Sequence, residues 1–304
     1  MEVIRTEGLT KIYKSGLRKI RALAGIDLLV GQGEIFGFLG PNAAGKTTTI
    51  KILMHLTFPS SGKAWILGSE AGSAAVKQKT GYLPEHPAFY PNLTGIELLS
   101  FYGRLFGLGA RKNRERIHEL LSLVGLRDAA KLAVGSYSKG MLQRIGMAQS
   151  LINDPEVVIL DEPLAGVDPV GRKSLRDLIL RLKKMGKSVF FSTHILQDVE
   201  LICDRVAILI KGGIVSVGRL DQILAEEIES IEITAKNVSS DAVKAIGEIA
   251  LNVIGSSDKC MIVVKDEETL EKIQAILGLH GGKIASIIPR AKTLEEHFIE
   301  KIRE

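Results

Sequence analysis

The sequence of 304 residues predicts an α/β fold built on a parallel sheet, with a helical insertion, followed by a small α+β domain. Three observations carry that reading. Residues 35–39 run straight into a glycine-rich loop and then a helical pattern through Ile50, Leu53 and Leu56. Residues 157–160, Val-Val-Ile-Leu, are apolar at every position, as in a strand buried on both faces. From residue 228 to 288 the pattern reads strand, helix, two strands, helix, strand, which is the order of a split βαβ motif.

Short β-rich stretches at residues 2–4, 26–30, 34–39 and 64–67 open the chain, parted by glycine-containing turns. Pro84, Pro87 and Pro91 then interrupt the pattern. Apolar residues recur at helical spacing over 93–126, with Thr94 and Glu97 resembling a capping box, so about 86–154 is expected to form a helical subdomain. A further helical pattern over 140–152 stops at Asn153 and Pro155. The alternation resumes with a helix at 170–185, a stop at Gly186, a strand at 188–192, and a hairpin of residues 205–210 and 214–217. We expect a first domain at 1–220 and a second, ferredoxin-like in order, at 221–304, closed by an amphipathic helix at 294–302.

Composition fits a packed protein, 45% hydrophobic and 25% charged, which excludes disordered and collagen-like classes. Although the formal charge is +5, Lys and Arg are spread among Asp and Glu, so no specific nucleic acid partner is expected. The local run Arg111, Lys112, Arg114 and Arg116 lacks interleaved aromatics and reads as the outer face of a helix. Cys203 and Cys260 stand in no metal-ligand spacing and offer no disulfide framework, which fits a reducing compartment. No apolar run approaches the roughly 18 residues of a membrane helix, so any work at a membrane would require another polypeptide.

The chemistry concentrates in a few strings. Gly40, Pro41, Asn42, Ala43, Ala44, Gly45, Lys46, Thr47 and Thr48 have the spacing of a phosphate-binding loop between a strand and a helix. There, backbone N–H groups and the helix N-terminus converge on phosphates, Lys46 reaches the β- and γ-phosphates, and the Thr47 hydroxyl ligates Mg²⁺. Asp161 and Glu162 follow the apolar run at 157–160, at the strand end where α/β sheets bind ligands. Asp161 suits Mg²⁺ coordination through water, and Glu162 suits a general base. Ser138, Lys139 and Gly140 precede a helix with Ser138 at its N-cap, a second helix N-terminus suited to an anion.

In this order the strings resemble the ABC-type ATPases, and residues 1 to about 218 follow that family's motifs. The resemblance implies a P-loop NTPase (ABC ATPase) core, ATP with Mg²⁺, and a signature motif at Ser138-Lys139-Gly140 that closes over ATP held by another subunit. It implies that Tyr13 stacks on adenine, that Asp168 is the aspartate of the D-loop, and that His194 is the switch histidine at the γ-phosphate. Glu162, His194 and Lys46 would then be the catalytic residues, with Thr47, Glu85 and Asp161 at the metal. Three positions depart from the usual pattern: Ala43 and Lys139 stand for glycines, and Glu85 for the Q-loop glutamine. An alanine at position 43 is costly if that residue needs positive φ.

Glu85, Ser138-Lys-Gly-Met141 and the ending Leu294-Glu-Glu-His-Phe298 resemble the ATP-binding subunits of ABC-2 type exporters. That likeness implies a separate integral membrane permease, a homodimer or heterodimer of nucleotide-binding subunits, and a peripheral place on the cytoplasmic face of the cell membrane. Phe89, Tyr90, Phe101, Tyr102 and Phe106 are candidates for a groove that receives a cytoplasmic helix of the permease, or for core packing. Two other readings stay open, a soluble ABC-type ATPase acting on nucleic acid or ribosomes and a catalytically weak ATP-binding clamp in a heterodimer.

Overall fold

A long hairpin opens the chain, β1 (Glu2–Ser15) and β2 (Arg18–Gly31), followed by β3 (Ile35–Leu39) and α1 (Lys46–Leu53). Next come β4 (Ser61–Ile66), β5 (Ser69–Glu70), α2 (Ala74–Lys79), β6 (Thr80–Leu83), α3 (Gly95–Leu105), α4 (Ala110–Leu123) and α5 (Lys139–Ser150). Then β7 (Val157–Asp161), α6 (Pro169–Lys184), β8 (Ser188–Thr193), α7 (Leu196–Ile202), β9 (Arg205–Ile210), β10 (Gly213–Arg219) and α8 (Leu220–Leu224) follow. This computed structural model describes residues 1–16, 18–224, 228–256, 258–291 and 293–303, and it divides into two units, Met1–Leu220 and Asp221–Glu304.

In the first unit β10-β9-β3-β8-β7-β6 form one sheet, parallel except for β10, and β2-β1-β4-β5 form an antiparallel sheet. The apolar runs follow from burial on both faces of the central sheet. Val158, Leu160, Val189 and Phe191 point into a core shared with the helices, whereas Phe36, Phe38, Val157, Ile159 and Phe190 point into a core shared with the antiparallel sheet and α1. Phe36 and Phe190 stack there with ring centroids 5.9 Å apart. Parallel pairing aligns the C-terminal ends of β3, β7 and β8, where the loops bearing Lys46, Glu162 and His194 begin.

The helical pattern over 93–126 is two helices, because Gly107 at φ 76° and Gly109 break it between α3 and α4. A Cβ on Gly103 would run into the Asn113 amide, so this glycine lets the two helices approach. At the start of α3 the Thr94 N–H donates to Glu97 Oε2 at 2.8 Å and the Glu97 N–H donates to Thr94 Oγ1 at 3.2 Å. Thr94→Ala should therefore cost about 1 kcal/mol of stability, read as a lower denaturation midpoint at unchanged slope. These bonds, the backbone one first, hold the Glu97 carboxyl below its usual range, so its contribution is present near neutral pH and is lost as pH falls through that lowered titration.

Arg116 corrects the expectation of a uniformly solvated basic face. Its guanidinium donates to the Leu151 carbonyl at 2.7 Å and pairs with Glu119 at 2.8 Å and Asp154 at 3.3 Å, tying α4 to the end of α5. Arg111, Lys112 and Arg114 do face solvent.

The second unit contains β11 (Ile228–Lys236), α9 (Ser240–Gly247), β12 (Asn252–Ser256), β13 (Lys259–Val264), α10 (Glu267–Leu279), β14 (Lys283–Ala291) and α11 (Leu294–Arg303). Its strands order as β12-β13-β11-β14, every neighbouring pair antiparallel. Alternate residues Ile231, Ile233, Ala235, Ile262 and Val264 pack against Ala242 and Ile246 of α9 and Ile273 and Leu277 of α10.

Candidate nucleotide-binding and hydrolysis site

β3 delivers the chain into a tight loop. A Cβ on Gly40 would meet the Leu209 carbonyl, so only glycine lets the loop leave the sheet there, and the Gly40 N–H donates to Thr193 O at 3.2 Å. Ala43 sits at φ 63°, so the expected cost of a side chain at this left-handed position is real, on the order of 1 kcal/mol. At the start of α1, Gly45 takes φ 113° and accepts from the Thr49 N–H at 2.9 Å.

Lys46 is buried, and its ammonium donates to the Gly40 carbonyl at 2.7 Å and the Pro41 carbonyl at 3.2 Å. The same ammonium lies 3.1 Å from Glu162 Oε1. Glu162 itself is 6% exposed and adopts φ 48°, a left-handed turn immediately after β7 that swings its carboxylate over the loop. Its other oxygen lies 2.9 Å from His194 Nδ1, and since a carboxylate only accepts, that nitrogen carries the proton. The turn is held by Ser192, whose Oγ accepts from the Glu162 N–H at 2.9 Å and donates to Asp161 Oδ1 at 2.6 Å.

Asp161 also accepts from the Thr47 hydroxyl at 3.3 Å. Burial pushes its carboxyl above the usual range, opposed by the bonds from Ser192 and Thr47 and reinforced by the nearby Glu85 and Glu162 charges. Tyr82, beside it, is pushed up to about 12 by burial and by the Asp161 charge. Among the described residues no cluster of His, Cys, Asp and Glu could hold a metal by itself. Thr47 and Glu85 line one cleft, and Asp161, outside its lining, bonds to Thr47 and feels the Glu85 charge; these three could offer oxygen ligands to a hard cation that arrives with phosphate.

One cleft of about 530 Å³ gathers Asn42, Ala43, Ala44, Gly45, Lys46, Thr47, Thr48, Glu85, Glu162 and His194. Ile20, Arg21 and Ala22 of β2 also line it, and nothing local in the sequence singles them out. Tyr13 lies one strand away, directly across from Ile20 and outside the lining, with the Lys11 ammonium 5.0 Å from its ring centroid. Ser138, Lys139, Gly140 and Asp168 do not line the cleft either. Ser138 caps α5 through the Met141 N–H at 3.3 Å, and Asp168 caps α6 through the Val170 and Gly171 N–H groups at 3.1 and 3.0 Å. These two caps come together elsewhere: a Cβ on Gly140 would touch Val167 at 3.5 Å and Asp168 at 3.9 Å.

A family model described as ABC transporter matches residues 23–165. An uncharacterized ABC transporter ATP-binding protein of Nostoc sp. is 43% identical, over 99% of this chain and 90% of the relative. The chain belongs to the ATP-binding subunits of ABC transporters. As such a subunit it is an ATPase, of a kind that works with membrane permeases. Two relatives of this ABC subunit carry more specific names. The fluoroquinolones export ATP-binding protein of Mycobacterium tuberculosis is 42% identical over 71% of this chain and 70% of its own length. The linearmycin resistance ATP-binding protein of Bacillus subtilis is 36% identical over 71% and 69%. Among solved structures, an ATP-binding subunit of an ABC transporter superposes with TM-score 0.66 at 29% identity, over 74% of this chain and 92% of that one. A dimeric ATP-binding cassette with ADP and Pi gives 0.66 at 24% identity, over 71% and 98%, which shows the fold over that share of the ABC subunit.

Proposed function

We propose that this subunit binds and hydrolyses Mg-ATP to energise an ABC-2 type exporter whose permease is a separate membrane protein, working from the cytoplasmic face of the membrane. One observation carries the hydrolytic part: the buried Glu162 carboxylate is shared between the Lys46 ammonium at 3.1 Å and His194 at 2.9 Å, at the mouth of the phosphate-loop cleft. ATP replaces Glu162 as the partner of Lys46. The freed carboxylate then accepts a proton from the attacking water, oriented by His194, while Lys46 and the loop N–H groups stabilise charge on the γ-phosphate. Thr47, Glu85 and Asp161 would hold Mg²⁺, which supplies Lewis-acid charge on the phosphate oxygens when bound. The signature residues Ser138, Lys139 and Gly140 stand outside their own chain's cleft, which supports their use on a second subunit's nucleotide.

Exporter coupling is supported by the name of the fluoroquinolones export relative and by a groove of about 440 Å³. Phe89, Tyr102 and Phe106 line it beside Tyr82, Pro84 and Pro87 of the segment that carries Glu85, so an inserted helix would press directly on the ATP site. Phe101 instead packs edge-on against Tyr90 and Tyr102 and does not line the groove. No helix among the described residues is long and apolar enough to cross a membrane. Affinity capture of the tagged chain from its native membranes tests the reading. A polytopic membrane protein should co-purify and be lost with Phe89→Asp, while ATP binding persists. Recovery of only soluble proteins or nucleic acid would overturn it.

A further inference from the structure

We infer that Arg21 is a phosphate-binding residue of the nucleotide cleft, supplying from strand β2 a second positive charge to the triphosphate. The inference rests on the ATP-binding reading of that cleft and adds a contact outside the loop motif. Its first support is position. Gly45 at φ 113° and Gly212 at φ 82° both press on Ala22, since a Cβ on either would lie 2.6 or 2.7 Å from the Ala22 carbonyl oxygen. The Ala24 N–H donates to Gly212 O at 2.8 Å, and the Gly212 N–H donates to Ala44 O at 3.0 Å. These contacts lay β2 directly on the phosphate loop, and Arg21 lines the cleft as a result.

Charge balance is the second support. The charged residues lining the cleft are Arg21 and Lys46 against Glu85 and Glu162, and Lys46 is already paired with Glu162. Without Arg21 a polyanion would enter a lining richer in acid than in base. Arg21 is exposed and makes no ion pair among the described residues, so its guanidinium is available. The strands around it share this bias: residues 8–26 hold Lys11, Lys14, Arg18, Lys19 and Arg21 and no acidic residue. Lys14 stands directly opposite Lys19, a like-charge pairing that costs stability until an anion approaches. An arginine forks onto phosphate with two donors, which favours the phosphates over the base as its target.

Calorimetric titration of the full chain with Mg-ATP and with magnesium tripolyphosphate tests this, using Arg21→Ala, Arg21→Lys and Lys46→Ala beside the parent. Arg21→Ala should weaken both ligands by roughly tenfold, the scale of one charged hydrogen bond, with thermal unfolding of the free protein unchanged. Arg21→Lys should recover only part of the loss, because an ammonium keeps the charge and not the two-donor fork. Lys46→Ala reports separately on the phosphate loop, so failure of the cleft reading and failure of the Arg21 contact are distinguishable. Parent-like binding of both ligands by Arg21→Ala would overturn the inference, as would loss of ATP affinity with tripolyphosphate unaffected, which marks a contact to base or ribose.

Discussion

Glu162→Gln should lower ATP turnover by about a thousandfold while tightening ATP binding. The first effect follows from losing the buried carboxylate that lies 3.1 Å from the loop lysine, where it is placed to take a proton. Binding tightens because the Lys46 ammonium is held at 3.1 Å by Glu162 before nucleotide arrives, so ATP must displace a buried ion pair. A glutamine keeps the shape and can still meet His194, but it no longer competes with phosphate for the ammonium. Initial rates and equilibrium titration separate the two effects, and a parallel fall in both would refute the displacement argument.

Lys46→Ala should act oppositely, weakening ATP binding by roughly a hundredfold and destabilising the free protein as well. The destabilisation arises because Glu162, 6% exposed, is left with a buried charge and only His194 beside it, a situation that costs about 3 kcal/mol. Two carbonyls, Gly40 O and Pro41 O, also lose the ammonium as donor. Denaturant titration checks the stability term and calorimetry the affinity term. The double variant Lys46→Ala with Glu162→Gln should regain part of the lost stability, because the orphaned charge is gone.

The elements whose signals are local were readable from the residues. The phosphate loop, the apolar run before Asp161, and the Thr94 and Ser138 caps each sit within a few consecutive residues. Features made by distant segments were not. The outer halves of β1 and β2 carry polar and charged residues exposed to solvent, so no apolar alternation marks them, and only residues 2–4 and 26–30 looked like strand. Arg21 reaches the cleft because Gly45 and Gly212 accept β2 at close range, a contact between segments almost 200 residues apart in part. Ser192 was legible as part of a strand, yet its hydroxyl bridge from Asp161 to the Glu162 backbone depends on the parallel register of β7 and β8. Arg116 looked like one more surface cation until α5 was placed beside it.

Direct analysis of the nucleotide that stays bound tests the central claim, that this cleft hydrolyses ATP with Glu162 as base. Wild-type chain and Glu162→Gln would be incubated with Mg-ATP, freed of excess nucleotide, denatured, and the released nucleotide separated by chromatography. The account predicts intact ATP from Glu162→Gln and ADP from the wild type. ADP from both would contradict the assignment of Glu162, and intact ATP from both would contradict hydrolysis by this subunit.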